Sequence, residues 1–260
     1  MQIRKHVLAI ALALLVVPSI GLADSISGSS GDGWQAWTSS DLNENGTPYW
    51  DNTSFDGPKM NVGYCLTGTG NCGMSGAPGI LPYWGSSTGA ADPSIFFTSP
   101  GTSSATLQIE IAGYSGENTF GFFEIGPKSS VASMTEIFDG PASAGATTLF
   151  APTGDYGFYL WSPDNGGTTF YTLSDDNTGD IGNQHFAIFS DGTGGYWLGM
   201  EDLSFSDPSD KDYNDMIVHI APVSAPEPGT LGLLGMGLIA LGGMARRKLS
   251  FRSCRDHSSS

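Results

Sequence analysis

The stretch YGFYLWSPDNGGTTFYTL, residues 156–173, decides the fold class. Its two arms, residues 156–161 and 168–173, are short runs rich in aromatic residues and threonine, a composition typical of β-strands. Between them, residues 162–167 combine serine, proline, aspartate, asparagine and two glycines, which favour tight turns. The stretch therefore predicts a β-hairpin.

The same signals recur along the chain. Leu107, Ile109 and Ile111 alternate with Gln108 and Glu110, the period of two expected of a half-buried strand. Further short strand-like runs occupy residues 120–125, 184–189 and 215–220, and a second turn-rich segment occupies residues 190–195. No segment between residues 24 and 225 shows a long helical period. We therefore predict an all-β chain with one β-sandwich or jelly-roll-like domain over residues 24–221, in which residues 24 to about 40 form a flexible end.

Charge excludes one class of partner. The 260 residues contain 10 Lys plus Arg against 26 Asp plus Glu, a formal net charge of -16, which repels phosphate backbones and excludes nucleic-acid binding. Between residues 24 and 225, three basic residues stand against 24 acidic ones, so the net charge there is -21. Two explanations remain open, namely neutralisation by bound cations and a solvated acidic surface.

The amino terminus predicts export. Arg4 and Lys5 precede an apolar run at residues 7–17, and Pro18 and a small-residue cleavage site at residues 21–23 follow. This order is that of a secretory signal peptide over residues 1–23, with a mature chain that starts near Asp24. An uncleaved anchor is disfavoured because a membrane span needs about 20 apolar residues.

The carboxyl terminus predicts a membrane segment. Residues 229–245 carry no charge and include six glycines, and as a helix they reach about 25 Å. A basic cluster follows directly, so the positive-inside rule places the tail, residues 246–260, in the cytoplasm. Residues 222–228 contain three prolines and predict an extended linker.

This terminal arrangement resembles a known sorting signal. Pro226-Glu227-Pro228, then a Gly-rich hydrophobic helix, then Arg246-Arg247 is similar to the PEP-CTERM signal of Gram-negative bacteria over residues 225–248. The resemblance implies transit through the inner membrane and processing by an exosortase-type protease, typically in organisms that make exopolysaccharide or biofilm. The tail after the basic cluster is longer than the resemblance leads us to expect.

Cysteine usage fits an exported protein. Cys65 and Cys72 enclose a turn-rich segment, and we predict a disulfide between them. A disulfide that closes so short a loop stabilises the fold by about 2–3 kcal/mol. The spacing is not that of a zinc or redox motif. Cys254 lies beyond the predicted membrane segment, on the reducing side, which accounts for the odd count.

An acidic stretch is the strongest candidate site. Residues 201–215 read EDLSFSDPSDKDYND, with six acids and one lysine. Asp210, Asp212 and Asn214 occupy alternate positions, so an extended backbone would point their oxygens to one side. In the same register, the apolar residues that follow enter the core: Met216, Val218 and Ile220.

Calcium is the ion that this stretch predicts. Ca²⁺ takes six to eight oxygen ligands, and the 1, 3, 5 spacing resembles the first half of a calcium loop. It is not an EF-hand, because Asp215 occupies the glycine position and no glutamate falls at position 12. The predicted ligands are Glu201, Asp202, Asp210, Asp212, Asn214 and Asp215. The alternative is a solvated acidic loop.

The same stretch carries a second resemblance. Residues 198–202, LGMED, and 210–218, DKDYNDMIV, resemble the carboxyl-terminal signature of a bacterial domain of unknown function common in secreted, calcium-rich and PEP-CTERM proteins. Residues 157–160 and 185–189 are similar to elements that precede it, which extends the resemblance to residues 110–220. It implies an extracellular β domain in which calcium binding is suspected, and it does not imply a catalytic activity. Met200 stands where an aromatic residue is expected.

Weaker candidates lie elsewhere. Residues 41–46, DLNENG, match the opening of a calcium loop, but position 12 is Asn52, so an ordinary turn competes with a metal site. A second turn-like acidic group consists of Asp175, Asp176, Asn177 and Asp180. Three Tyr-Trp pairs predict either exposed rings that stack on sugars or core residues: Tyr49-Trp50, Tyr83-Trp84 and Tyr196-Trp197.

We therefore predict an exported, non-enzymatic β protein at the cell surface or in the extracellular matrix, with a calcium-binding structural or adhesive domain. No nucleophile elbow, phosphate loop or zinc signature is present in the sequence. The alternatives are a calcium-dependent carbohydrate-binding module that uses the Tyr-Trp rings, and a secreted polysaccharide hydrolase that uses a carboxylate pair. An extracellular polysaccharide is the further partner that these hypotheses imply.

Overall fold

Strands make up most of the regular structure in the computed structural model. It describes residues 24–52, 57–76, 80–88, 93–98, 101–128, 130–140, 142–178, 180–206, 209–223 and 236–237. The predicted signal peptide, the sorting residues 226–228 and 246–247, and nearly all of the predicted membrane segment lie outside these residues. Among the residues described, no helix has both the length and the hydropathy needed to cross a membrane.

The elements whose bounds are described are thirteen strands, three short 3₁₀ segments (Ser39–Asp41, Asp164–Gly166 and Ser174–Asp176) and one α-helix, α1 (Val62–Thr67). The strands are β1 (Ser25–Gly28), β2 (Asp32–Gln35), β3 (Tyr83–Ser86), β4 (Ile95–Thr98), β5 (Ser103–Glu110), β6 (Thr119–Ile125), β7 (Val131–Phe138), β8 (Thr147–Phe150), β9 (Asp155–Ser162), β10 (Thr168–Tyr171), β11 (Phe186–Ser190), β12 (Tyr196–Met200) and β13 (Met216–Pro222).

The strands form two antiparallel sheets. One has six strands in the order β1-β4-β9-β6-β7, with β10 paired to β9. The other has seven strands in the order β2-β3-β11-β12-β13-β5-β8. Every pairing between these strands is antiparallel. The predicted all-β class is confirmed.

The main hydrophobic core joins the two sheets. Phe97 and Phe158 of the six-stranded sheet belong to the same buried cluster as Ile188, Leu198 and Val218 of the seven-stranded sheet. Burial of each such side chain stabilises the fold by about 1.5–3 kcal/mol. Residues of both sheets therefore contribute to one core, which holds the strand ends in fixed positions.

A second core covers the other face of the seven-stranded sheet. Trp37, Trp50 and Leu66 pack with Phe189 and Ile217. Because side chains alternate along a strand, Phe189 and Ile217 face away from the main core. The segment that carries α1 thus buries a sheet face that would otherwise be solvated, and β11 and β13 are apolar on both faces.

Local sequence sets the ends of α1 and the loop after it. The Asn61 side chain accepts a hydrogen bond of 3.1 Å from the Tyr64 amide, and Gly68, with φ of 67°, ends the helix in the left-handed conformation. Cys65 of α1 and Cys72 of the following loop form a disulfide, with their Cα atoms 5.4 Å apart. The bond fixes this loop against the second core.

Two sequence expectations have different outcomes. The hairpin predicted from residues 156–173 is present, since β9 and β10 pair through Trp161 and Thr169. The flexible end predicted at residues 24–40 is wrong, because β1 pairs with β4 and β2 pairs with β3. These edge strands are held by backbone hydrogen bonds, which a short polar sequence does not reveal.

Candidate cation-binding site

The predicted ligands meet where two neighbouring strands of the seven-stranded sheet end and begin. Glu201 and Asp202 directly follow β12, and Asp215 directly precedes β13. Because β12 and β13 are paired and antiparallel, the end of one lies beside the start of the other. We call the five carboxylates gathered here the acid cluster: Glu201, Asp202, Asp210, Asp212 and Asp215. Asp207, the sixth acid of the stretch, lies outside the described residues.

The backbone brings these side chains together by a route that the sequence did not predict. Residues 210–213 are not an extended strand, because Lys211 and Tyr213 both have φ of 59°. Non-glycine residues adopt this left-handed conformation at a cost of order 1–3 kcal/mol each, and tertiary contacts maintain it. The Tyr213 hydroxyl donates to the Gln184 carbonyl at 2.7 Å, and the Val62 amide donates to the Asp212 carbonyl at 2.8 Å.

The carboxylates form two triads that share one residue. In the first triad, oxygens of Glu201, Asp210 and Asp212 lie within 4.8 Å of one another. In the second, oxygens of Glu201, Asp202 and Asp215 meet the same limit. Glu201 therefore lies between two groups of potential ligands.

Two asparagines border the triads. Asn214, which the sequence predicted, donates from Nδ2 to Asp212 Oδ2 and to the Met60 carbonyl, and its backbone amide donates to Asp212 Oδ1 at 3.0 Å. Asn118, which the sequence analysis missed, donates from Nδ2 to Asp202 Oδ2 at 2.8 Å. No local motif marks Asn118, because it directly precedes β6 of the other sheet and lies far from the acidic stretch in sequence.

Burial makes the negative charges of the cluster costly. Glu201 and Asp212 are 0% exposed. Burial, followed by the nearby Asp210 and Asp212, raises the pKa of Glu201 well above its usual value. Burial, followed by Glu201, does the same to the pKa of Asp215, and burial also raises the pKa of Asp202. The cluster thus favours protonation or a bound cation.

Hydrogen bonds do not compensate for the charge on Glu201. Among the described residues, neither Glu201 oxygen accepts a hydrogen bond of ordinary geometry, although the Ser209 side chain favours the charged form of the carboxyl and opposes the rise in its pKa. The Oδ1 atoms of Asn118 and Asn214 are likewise buried, with no hydrogen-bond partner among the residues described. Buried oxygens without donors are rare in folded proteins and require an explanation.

In the described part of the chain, no lysine or arginine forms an ion pair with Glu201, Asp202 or Asp215. Lys211, within the acidic stretch, places its Nζ 4.3 Å from the centre of the Phe205 ring. The ion pairs found among the described residues both involve histidine, His185 with Asp180 and His219 with Asp191. An external cation is therefore the compensation that fits this donor set, and carboxylate and amide oxygens are ligands that Ca²⁺ prefers.

The weaker candidate at residues 41–46 has another role. Its loop folds around Asp51, whose Oδ2 accepts hydrogen bonds from the amides of Asn43 and Glu44 at 3.0 and 3.1 Å. The Asn61 side chain donates to Asp51 Oδ1 at 2.7 Å. These donors stabilise a turn, and the structure brings no cation-ligating triad of described residues together here.

The group at residues 175–180 also serves local structure. Asn177 Oδ1 accepts from the Tyr171 amide at 2.6 Å, and Asp180 Oδ2 accepts from the Phe205 amide at 2.7 Å. Asp180 also pairs with His185 at 3.3 Å. Asp175 remains exposed.

The Tyr-Trp pairs contribute mainly to the cores. Both rings of Tyr49-Trp50 and of Tyr83-Trp84 are buried, as is Tyr196, whereas Trp197 is partly exposed. The exposed tryptophans are instead Trp34 at 42% and Trp161 at 38%. The structure thus favours a core role for the first two pairs.

The fold and this site define an all-β domain with a buried carboxylate cluster, and family models match two parts of the chain. Residues 144–222 match a domain of unknown function (DUF4114), and this range includes the whole acid cluster. Residues 224–248 match the PEP-CTERM protein-sorting motif. Comparisons with curated proteins and with solved structures give no significant match.

Both resemblances identified in the sequence are confirmed, with one difference in extent. The match to the domain of unknown function begins at residue 144, later than the expected residue 110. The sorting motif indicates an exported protein with a membrane-anchored precursor that is processed by an exosortase.

Proposed function

We propose that the chain is an exported cell-surface or matrix protein whose β-sandwich domain binds Ca²⁺ at the acid cluster for structural or adhesive purposes. The observation that carries this proposal is Glu201, which is fully buried, belongs to both triads and, among the described residues, has no hydrogen-bond donor of ordinary geometry. A sequence that placed acids here only for solubility would leave them in water.

The position of the cluster supports a structural role for the ion. It lies between the end of β12 and the start of β13, and the Asn118 contact reaches β6 of the other sheet. A cation here would hold a loop with two left-handed residues, and would link both sheets. Ca²⁺ is common outside cells and tolerates irregular ligand sets, which makes it the favoured ion.

Burial argues against a polysaccharide hydrolase at this site. Glu201 and Asp212 have no exposed surface, whereas a glycosidase needs two carboxyl groups that flank a bound sugar. We therefore propose that the cluster is not catalytic. A link to exopolysaccharide or biofilm would then arise through adhesion.

The test measures thermal unfolding of a protein comprising residues 24–223, which lie within one compact unit. At Ca²⁺ about 100-fold above Kd, binding adds roughly 3 kcal/mol, which corresponds to a Tm increase of about 5–12 °C for a domain of this size. EDTA should remove the increase, and Asp212→Asn should diminish it. Asp175→Asn, at an exposed acid, is the matched control. An unchanged Tm with Ca²⁺ and with EDTA would refute the proposal.

A second candidate function rests on a cleft of about 350 Å³ beside Trp34. The Trp34 ring stacks on Tyr196 with centroids 6.3 Å apart and meets Trp84 edge-on at 5.3 Å, and Asp24 and Ser190 supply polar groups to the lining. Exposed aromatic faces beside polar groups suit stacking on a sugar ring.

Glycan-array binding tests this second function. Retention of an oligosaccharide that Trp34→Ala abolishes, and that Trp161→Ala preserves, would support carbohydrate binding. Trp161 is a suitable control because it has similar exposure and lies outside the cleft lining. Parallel arrays with EDTA would show whether binding depends on Ca²⁺.

A further inference from the structure

The acid cluster contains two sets of ligands. Asp210 and Asp212 meet Glu201 in one triad, and Asp202 and Asp215 meet it in the other. A single ion site would require one convergent group, whereas here only Glu201 is common to both groups. Within the described ranges, neither of its oxygens accepts a hydrogen bond of ordinary geometry, so both are available as ligand atoms.

Each triad has its own asparagine. Asn214 Nδ2 donates to Asp212 in the first triad, and Asn118 Nδ2 donates to Asp202 in the second. In both asparagines the Oδ1 atom is buried and has no hydrogen-bond partner in the part of the chain that the structure describes. Each triad is thus bordered by one neutral oxygen with no donor, which is a common calcium ligand.

Charge also favours two ions. One divalent cation among five carboxylates leaves three formal negative charges in a buried site, and two leave only one. Uncompensated buried charge is strongly destabilising, and among the described residues no lysine or arginine forms an ion pair with Glu201, Asp202 or Asp215.

We propose that the acid cluster binds two divalent cations, bridged by the Glu201 carboxylate. One ion is held by Glu201, Asp210 and Asp212 beside Asn214, and the other by Glu201, Asp202 and Asp215 beside Asn118. This inference rests on the proposed function, because it specifies how many ions the same cluster takes.

Stoichiometry separates the two proposals. Elemental analysis and calorimetric titration of residues 24–223 with Ca²⁺ should give two ions per chain. One ion per chain would overturn the bridged pair and leave the proposed function intact, and no bound ion would overturn both. Asp175→Asn, the exposed control, should retain two ions.

Variants assign the ions to their ligands. Asp202→Asn combined with Asp215→Asn should reduce the stoichiometry to one, and Glu201→Gln should weaken both ions by at least tenfold. Two ions of unchanged affinity in Glu201→Gln would overturn the bridge. Circular dichroism establishes which variants are folded.

A spectroscopic test needs no variant. Mn²⁺ substituted into the wild-type protein should give an electron paramagnetic resonance spectrum with magnetic coupling between two ions at the bridged site. At full occupancy, a spectrum of isolated Mn²⁺ ions alone would contradict the proposal. This test remains valid if the Asp202, Asp215 and Glu201 variants fail to fold.

Discussion

Asn118 and Asp202 join the two sheets through a hydrogen bond of 2.8 Å between buried side chains. Asn118 directly precedes β6 of the six-stranded sheet, and Asp202 follows β12 of the seven-stranded sheet. The candidate cation site is therefore built from both layers of the domain, and its occupancy should affect the stability of the whole fold.

Removal of this link should cost both stability and cation affinity. Asn118→Ala deletes a hydrogen bond to a buried charged group, and we expect the free energy of unfolding to fall by about 1.5–3 kcal/mol. Chemical denaturation with and without Ca²⁺ measures the effect. The control Asn43→Ala, at an exposed asparagine side chain, should change the free energy of unfolding by less than about 0.5 kcal/mol. Equal losses in the two variants would contradict the assigned role.

Calcium should reverse the pH dependence of stability. Burial raises the pKa values of Glu201, Asp215 and Asp202 in the cation-free protein, so the folded state holds these protons more tightly than the unfolded chain. Without a cation, stability should fall as pH rises through the raised pKa values. With saturating Ca²⁺ the ligands must be ionised, so stability should instead rise over the same range. Denaturation at pH 5, 6 and 7, in EDTA and in Ca²⁺, compares the two slopes, and parallel slopes would contradict this prediction.

Asp51 should titrate separately from the acid cluster. Burial raises its pKa to about 6, against the opposing hydrogen bonds from the amides of Asn43 and Glu44. The folded state therefore prefers the protonated, neutral form of Asp51. The stability that this carboxyl contributes is lost as pH rises from about 4 to about 6. A pKa difference of this size between the folded and unfolded chain corresponds to about 3 kcal/mol, which solvent screening reduces to about 1–2 kcal/mol.

The variant Asp51→Asn isolates this contribution. The difference in free energy of unfolding between the variant and wild type should shift in favour of the variant by about 1–2 kcal/mol from pH 4 to pH 7. This shift is expected even if the variant is less stable than wild type at pH 4. Denaturation of both proteins in EDTA across this range gives the difference, and Asp41→Asn, at an exposed acid, is the control. A difference that is constant with pH would show that Asp51 does not titrate in this range.

The disulfide should stabilise the domain through its short loop. Replacement of both Cys65 and Cys72 by serine removes a constraint on the unfolded chain and should lower the free energy of unfolding by about 2–3 kcal/mol. Guanidinium denaturation of the two proteins provides the measurement. The same stability in wild type and double variant would show that the second core alone fixes the loop.

Local patterns predicted the parts of the fold that depend on local chemistry. The hairpin around residues 162–167 was evident because turn residues separate two aromatic runs, and the alternation at Met216, Val218 and Ile220 placed these side chains in the main core, where they lie. β1 and β2 were missed, since their edge pairing depends on distant strands.

The candidate site likewise combines residues that the local sequence predicted with features that only tertiary contacts determine. The acids were evident as a dense run, but the left-handed residues Lys211 and Tyr213 were not, because such conformations are imposed by tertiary contacts. Asn118 was missed for a related reason: it lies far from the acidic run in sequence and reaches Asp202 only once the two sheets pack.

The end of β13 has a mechanical consequence. Pro222 pairs with Ser103 of β5, the Val223 amide donates to the Thr102 carbonyl at 2.9 Å, and the sorting motif begins at residue 224. Tension on the membrane-anchored precursor would therefore enter the domain along an inner strand, flanked by β12 and β5. Pulling such a strand out of the sheet requires its backbone hydrogen bonds to both neighbouring strands to break together. A cation bound at the start of β13 would add further resistance to this force.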